Sequence, residues 1–200
     1  MCRVVGILLA AGSSRRFGSN KLLAPLAEGT AVCVAAARNL ISVLPDSIAV
    51  VRPGDSELAA LLGAQGLRIV ECAQSEQGMG HTLAAGIGAA DSADAWLIAL
   101  ADMPYVRNFT LASLAALLVE GADMVAPHYK EQRGHPVGFA AGYRTELLSL
   151  TGDTGARDLL ARHAAALTSL NVDDPGILLD VDTPADLRRE NYFQSGTVTS

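Results

Sequence analysis

Short apolar runs alternate along the chain with segments in which apolar residues recur at helical spacing. The first run is continuous and ends at glycine and polar residues, which is typical of a strand buried on both faces of a parallel sheet. Strands that alternate with helices indicate βαβ units, so the pattern predicts an α/β fold with a mostly parallel sheet. The predicted strands are Val4–Ala10, Ile48–Val51, Leu67–Glu71, Ala95–Ala101 and Met124–Ala126, and the predicted helices are Thr30–Leu44, Ser56–Leu62, His81–Ala90 and Thr110–Glu120.

The regular alternation of apolar runs and helical segments ends after Pro127, where the chain becomes more polar. A last helix is predicted from Thr183 to Arg189, with Thr183 as its N-cap and Pro184 at its first position. The other elements predicted in this part are a strand at Pro136–Ala140 that can run antiparallel to the rest, helical segments at Leu147-Leu148 and Ala156–Ala166, and extended pieces at Leu170–Val172 and Leu178–Val181.

Length and composition fit one domain, to which we assign residues 1–189. The chain has 200 residues, of which 50% are apolar, and such a chain can bury a large core. The segment 190–200 begins with Glu190-Asn-Tyr-Phe-Gln-Ser-Gly196, which resembles a protease-cleavage tag with one leucine missing, and we leave it out of the functional interpretation. No apolar run reaches the roughly 18 residues of a transmembrane helix.

Charge and cysteine usage narrow the function classes further. The net charge of −6 argues against a nucleic-acid partner, which needs a basic face, but it permits one small anion at a local basic site. Cys2, Cys33 and Cys72 are far apart and odd in number, so neither a disulfide framework nor a zinc site is expected. We expect a cytoplasmic protein, because a reducing compartment is the simplest setting for free thiols.

The loop after the first strand carries the clearest chemical signal. It reads Ala10-Ala-Gly-Ser-Ser-Arg-Arg-Phe-Gly-Ser-Asn-Lys21, and ligands bind outside the carboxyl ends of strands in open α/β sheets. Glycines let the backbone turn N–H groups toward an anion, Ser13 and Ser14 add hydroxyl donors, and two arginines and a lysine add positive charge. The spacing matches neither the P-loop nor the G-x-G-x-x-G pattern. We therefore predict a phosphate site of another kind, against the alternative of a solvated polar loop.

Two acidic segments are candidates for binding Mg²⁺. Asp102 follows the fourth predicted strand and can reach the same crevice as the first loop, although it can equally cap the turn before Pro104. Asp180 and Asp182 alternate along an extended segment and so point to the same side. Carboxylates together with phosphate oxygens suit Mg²⁺. Asp186 has a structural alternative, in which it stabilises the start of the last helix.

Three further segments combine glycine with polar groups. In Gln74–Thr82 the glycines allow close approach of a base or ribose, and Gln77 or Thr82 can bond to base edges, although the segment alone signals only a helix start. Arg133-Gly-His-Pro-Val137 and Gly152-Asp-Thr-Gly-Ala-Arg157 place glycine beside cationic groups. Both can hold a second substrate, although a single His or Arg is more often structural.

Taken together, these motifs resemble the molybdopterin-dependent nucleotidylyltransferases, and within them the molybdenum cofactor cytidylyltransferases. The resemblance covers Val4 to about Leu187. Departures from the family pattern are Phe17, where methionine is usual, and Thr82, where serine is usual. The six motifs, in order, are Leu9-Ala-Ala-Gly-Ser-Ser-Arg-Arg-Phe-Gly18 with Lys21 after it, Gly78-Met-Gly-His-Thr-Leu83, Asp102-Met-Pro104, Gly134-His-Pro-Val-Gly-Phe139, Gly152–Arg157 and Asp180–Leu187.

The resemblance implies a Rossmann-like three-layer nucleotidyltransferase fold that transfers a cytidylyl group from CTP to a molybdopterin-type cofactor with Mg²⁺. CTP is expected over GTP because guanylyl-transferring relatives read LAGG where this chain reads Leu9-Ala-Ala-Gly12. A molybdenum hydroxylase is the expected recipient of the product. The implied roles are catalysis for Arg16, Lys21 and Asp102; nucleotide binding for Leu9, Ala10, Ala11, Gly12, Ser13, Lys21, Gly78, Gly80 and Thr82; metal binding for Asp102 and Asp182; and acceptor binding for His135 and Arg157.

Three alternatives stay open at this point. The first keeps the enzyme class and changes the substrates, to guanylyl transfer to the same cofactor or cytidylyl transfer to a sugar or alditol phosphate. The second is a dinucleotide-dependent oxidoreductase, which the missing G-x-G-x-x-G disfavours. The third is a chaperone that holds the cofactor for a partner hydroxylase, a role that can coexist with catalysis.

Overall fold

A computed structural model describes residues 2–12, 20–153 and 155–187. In this part of the chain, eight strands form one sheet and six α-helices cover it. The strands are β1 (Val4–Leu9), β2 (Ile48–Val51), β3 (Arg68–Glu71), β4 (Ala95–Leu100), β5 (Met124–Tyr129), β6 (Gln132–Arg133), β7 (Val137–Ala140) and β8 (Leu167–Asn171). The helices are α1 (Val32–Val43), α2 (Ser56–Ala64), α3 (Met79–Ala89), α4 (Asn108–Val119), α5 (Arg144–Leu148) and α6 (Ala156–Arg162).

The sheet has the order β3-β2-β1-β4-β7-β5-β6, with β8 also paired to β5. The pairs β3–β2, β2–β1, β1–β4 and β5–β8 are parallel. The strand predicted near Pro136 is β7, and it runs antiparallel between β4 and β5. The predicted α/β class with a mostly parallel sheet is thus confirmed.

Alternate residues of the central strands feed two separate cores, one on each face of the sheet. In β1, Ile7 and Leu9 face the core formed with α3, α5 and α6, whereas Leu8 faces the core formed with α1, α2 and α4. In β4, Trp96 faces the core formed with α3, α5 and α6, and Leu97 faces the core formed with α1, α2 and α4. Because both faces are covered, a continuous apolar run is what these strands require. This arrangement confirms the three-layer architecture.

The C-terminal elements differ from the predictions. Leu178 ends a 3-10 turn over Pro175–Leu178 rather than starting an extended piece, since the Asp174 side chain accepts a hydrogen bond from Gly176 N and caps that turn. Of the helix predicted from Thr183 to Arg189, the described part shows a turn at residues 183–185 that passes into 3-10 conformation at 186–187, and the rest lies outside the described residues. The Asp186 carboxylate accepts from the backbone N–H groups of residues 182 and 183, so local side-chain bonds hold this turn.

Among the helices of the described ranges, none combines the length and apolar character needed to cross a membrane.

Candidate nucleotidyl-transfer site

The carboxyl ends of β1 and β4 lie side by side, because the two strands are parallel neighbours with Leu9 opposite Leu100. Lys21 begins a short 3-10 turn after the first loop, and the Asn20 side chain caps this turn by accepting from Leu22 N at 3.2 Å. Asp102 follows β4 by two residues. The topology therefore brings together two groups that are 81 positions apart in sequence.

Lys21 lies between two carboxylates. Its Nζ donates to Asp102 Oδ2 and to Asp182 Oδ1, both at 2.8 Å. The Lys21 side chain is only 13% exposed, against 23% for Asp102 and 43% for Asp182. Burial by itself lowers the pKa of Lys21, but the hydrogen bonds and charges of the two aspartates raise it by more, so the net pKa lies above 10.5. Lys21 is therefore a firmly protonated ammonium.

Asp180 joins this pair of aspartates as a third carboxylate. One oxygen from each of Asp102, Asp180 and Asp182 lies within 4.8 Å of the others, as the alternation of residues 180 and 182 predicts. The backbone holds the segment in place, since Val181 N donates to Asp102 O at 2.8 Å. Hard oxygen donors at this spacing suit Mg²⁺ or Mn²⁺, so the residues present fit a divalent cation.

The segment that carries Asp180 and Asp182 is anchored by Asp174, which has 0% exposure. The Asp174 carboxylate accepts from Arg107 N at 2.9 Å, from Thr110 Oγ1 at 2.7 Å and from Gly176 N at 3.0 Å. A buried carboxylate is tolerated when its oxygens are satisfied in this way. Asp174 thus ties the 3-10 turn before the acidic segment to the start of α4.

His135 lies close to this cluster. Its backbone N–H donates to Ile177 O at 2.9 Å, and its ring borders a small apolar cavity with Leu100 and Met103. Burial lowers the pKa of His135 below 6.5, opposed by the charge of Asp102, so the ring is neutral near pH 7. Among the described residues its buried Nδ1 has no hydrogen-bond partner. His135 therefore keeps one buried ring nitrogen without a hydrogen bond to the described residues.

Two glycine segments that are far apart in sequence meet at the start of α3. Gly80 N donates to Gly152 O at 2.8 Å, and Gly152 N donates to His81 Nδ1 at 3.1 Å. Gly78 has a φ of +129°, and a Cβ there would lie 2.1 Å from the Gly152 carbonyl carbon. Only glycine meets both constraints. The structure therefore brings the second and fifth motifs into direct contact.

A polar cavity of about 560 Å³ opens at the carboxyl ends of β2 and β3, beside Asn20. Asn20 Nδ2 donates to Asp55 Oδ2 at 3.2 Å on its rim. The Ser75 hydroxyl is buried and has no partner among the described residues. The sequence analysis missed this cavity, although Arg52 follows an apolar strand and so ends at the same sheet edge as the first loop. The lining residues are Asn20, Arg52, Pro53, Gly54, Asp55, Ala73, Ser75 and Glu76.

The other predicted site residues fall into three groups. Leu9, Ala10, Ala11 and Thr82 are buried, at 2 to 9% exposure. Gly12 and Arg157 are exposed, the latter on the first turn of α6. Ser13 and Arg16 lie outside the described residues. The structure thus brings Lys21, Asp102 and Asp182 into direct contact and places β1's end beside them.

The chain is similar to proteins of one group in sequence and in structure. It is 31% identical over 192 residues to the purine catabolism protein PucB of Bacillus subtilis, covering 90% of this chain and 92% of that protein. It is 30% identical over 194 residues to the nicotine blue oxidoreductase of Paenarthrobacter nicotinovorans, covering 93% and 95%.

Among solved structures, Rv0371c from Mycobacterium tuberculosis has a TM-score of 0.81 at 26% identity, covering 94% of this chain and 97% of that one. Its complex with manganese has a TM-score of 0.75. The sequence model of the MobA-like NTP transferase domain matches residues 6–167. The chain therefore belongs to the MobA-like NTP transferase domain family.

Proposed function

We propose that this protein transfers the cytidylyl group of CTP to a molybdopterin-type cofactor and releases pyrophosphate. The contact of Lys21 with Asp102 and Asp182, at the sheet edge where the first loop ends, carries the proposal. It puts a cation and metal-binding carboxylates at one point, which is what transfer of a nucleotidyl group requires. The choice of CTP and of the pterin acceptor rests on the motif resemblance.

The reaction needs little from the protein besides position and charge. A terminal phosphate oxygen of the acceptor attacks the α-phosphorus of CTP, the new P–O bond forms, and the bond to the bridging oxygen of the β-phosphate breaks. The bonding pair leaves with pyrophosphate. Because the attacking phosphate is already anionic, no general base is required. Catalysis then comes from holding the two phosphates in line and stabilising the charge on the leaving group.

Lys21, Arg16 and the loop residues Gly12 and Ser13 are proposed to bind the triphosphate. Asp102 and Asp182 would hold Mg²⁺, with Asp180 within reach. The metal supplies charge neutralisation at the phosphate oxygens. The need for it follows from electrostatics, since three carboxylates against one ammonium leave this cluster with a formal charge of −2, which repels a triphosphate.

The nucleoside and the acceptor are proposed to lie on either side of this centre. The cavity beside Asn20 has room for a nucleoside, and Gly78, Gly80 and Thr82 are proposed to contact the nucleotide. His135 and Arg157 are proposed to face the pterin. We further propose that the reaction occurs in the cytoplasm and that a molybdenum hydroxylase receives the product. All three cysteines are free thiols, which agrees with a reducing compartment.

The test is a thermal-shift screen with CTP, GTP, ATP and UTP, each with Mg²⁺. A ligand that binds only the folded state stabilises it by RT ln(1 + [L]/Kd), so we expect CTP to raise the melting temperature most. Pyrophosphate release on addition of the molybdopterin-type cofactor then identifies the acceptor. Cofactor binding without CTP turnover would instead favour a delivery chaperone.

A dinucleotide-dependent oxidoreductase is the second candidate, because one relative that spans the chain is named an oxidoreductase. Its test uses NADH and NADPH in the same screen, followed by absorbance at the nicotinamide band during incubation with candidate acceptors. Stabilisation by a nicotinamide nucleotide together with its oxidation would favour this function. We expect neither.

Ala11→Gly should erode the preference for CTP over GTP. Ala11 ends the buried run at the tip of β1 with 4% exposure, and we propose that its methyl group narrows the pocket for the larger purine. One methyl-sized change in a pocket is worth roughly 1–3 kcal/mol, so we expect a partial shift in the ratio of kcat/KM values. Ala49→Gly removes one buried methyl from neighbouring β2 and should leave the ratio unchanged. Equal ratios in Ala11→Gly and the wild type would remove Ala11 from base selection.

A further inference from the structure

The Lys21 ammonium binds two of the carboxylates that would hold a divalent cation. Nζ is 2.8 Å from Asp102 Oδ2 and 2.8 Å from Asp182 Oδ1. These are two of the three carboxylates that lie close enough together to bind one ion. A metal ion bound to these oxygens would repel the ammonium and compete with it for their lone pairs.

We propose that Lys21 is the internal counterion of the metal site and competes with the divalent cation for Asp102 and Asp182. The proposal rests on the proposed assignment of these aspartates as metal ligands. Without nucleotide, the ammonium satisfies the carboxylates and weakens metal binding. When a divalent cation binds, the ammonium is released from the carboxylates and becomes available to the triphosphate.

The position of Lys21 in the chain makes such an exchange possible. Lys21 is the first residue of the turn that follows the proposed phosphate loop, and its four-carbon stem carries a compact charge with three rotatable donors. The Lys21 side chain is 13% exposed, and an anionic partner stabilises its partly buried charge in both states. The carboxylates pair with the ammonium before metal binding, and phosphate oxygens pair with it afterwards.

The exchange links the two ligands. Metal binding frees the cation that the triphosphate needs, and triphosphate binding removes the competitor for the metal. Each ligand therefore raises the affinity for the other by the same factor, as thermodynamic linkage requires. In nucleotide-free protein, the exchange predicts that removing the lysine from the site raises the affinity of the site for the metal. Removal of a residue from a binding site usually lowers affinity.

The test is Mn²⁺ titration of nucleotide-free protein, followed by the electron paramagnetic resonance signal of free Mn²⁺. Lys21→Met should bind Mn²⁺ about tenfold more tightly than the wild type, since it removes a positive charge that competes with the metal for Asp102 and Asp182. Lys130→Met is the matched control, because Lys21 and Lys130 are the only lysines. Lys130 is exposed beside the Tyr129 ring, so its removal should leave Mn²⁺ affinity unchanged.

A second measurement uses the wild type and does not depend on the variant folding. Lysine labelled with ¹³C at Cε gives two NMR signals, one for each lysine. Mg²⁺ should move the Lys21 signal toward the position of the exposed Lys130 and leave the Lys130 signal in place. A Lys21 signal that stays unmoved at saturating Mg²⁺ would overturn the exchange.

The titration separates this inference from the proposed function, because it contains neither CTP nor a pterin. Unchanged or weaker Mn²⁺ binding by folded Lys21→Met refutes the counterion role even if cytidylyl transfer is confirmed. Mn²⁺ binding by Lys21→Met, with no measurable binding by the wild type, supports the counterion role. Absence of Mn²⁺ binding by both proteins refutes the role together with the metal assignment.

Discussion

Asp102→Asn should lower turnover by about 100- to 1000-fold while the protein stays folded. The amide has nearly the same shape but no charge, so it weakens the hold on the divalent cation and breaks the ion pair between Lys21 and Asp102. Loss of one preorganised electrostatic group at a transfer site typically costs about 2.7–4 kcal/mol in the barrier. The measurement is kcat at saturating CTP and Mg²⁺, with circular dichroism to verify folding.

Asp94→Asn is the matched control for this variant. Asp94 precedes β4, at the opposite end of the strand from Asp102, and is exposed. Its carboxylate accepts from Arg3 N at 2.8 Å, so the control also removes an aspartate that makes a hydrogen bond. We expect turnover close to that of the wild type. Near-normal turnover in Asp102→Asn itself would take Asp102 out of the mechanism.

Asp174→Ala should lower the free energy of unfolding by about 3 kcal/mol. The substitution leaves Arg107 N, Thr110 Oγ1 and Gly176 N without their acceptor, and a buried polar group left unpaired costs about 1–3 kcal/mol. The three losses do not add fully, because the segment can relax and admit water. Urea unfolding followed by circular dichroism measures the change.

Asp173→Ala is the control for Asp174, since the neighbouring side chain is exposed and exposed substitutions usually change stability by less than about 0.5 kcal/mol. Asp174→Ala should also weaken Mn²⁺ binding, because Asp174 fixes the turn that leads to Asp180 and Asp182. A stability equal to that of Asp173→Ala would contradict the anchoring role of Asp174.

The sheet and the position of the site follow from simple rules applied to the sequence. The apolar runs beginning at Val4 and Ala95 are strands because a sheet covered on both faces requires such runs. Lys21 and Asp102 were expected near one another because the carboxyl ends of parallel strands share one edge. The alternation of Asp180 and Asp182 correctly placed both carboxylates in one cluster.

Features that depend on tertiary distance were not predictable. Sequence reasoning assigned Lys21 to phosphates, but only the packed structure puts its ammonium between two aspartates. The burial of Asp174 and the unpaired hydroxyl of Ser75 depend on segments that meet from distant parts of the chain. The start of the predicted last helix is a turn that passes into 3-10 conformation at residues 186–187, and the Asp186 carboxylate stabilises it by accepting from the backbone N–H groups of residues 182 and 183.

The central claim is that a cytidylyl group passes from CTP to a molybdopterin-type cofactor. The most direct measurement incubates the protein with the cofactor, Mg²⁺ and CTP labelled with ³²P at the α-phosphate, and separates the products. We expect the label to appear in a cytosine dinucleotide form of the cofactor, with one pyrophosphate released for each product, and labelled GTP to give much less. Label that remains in CTP, or that moves equally well from GTP, would refute the transfer of a cytidylyl group as the reaction of this protein.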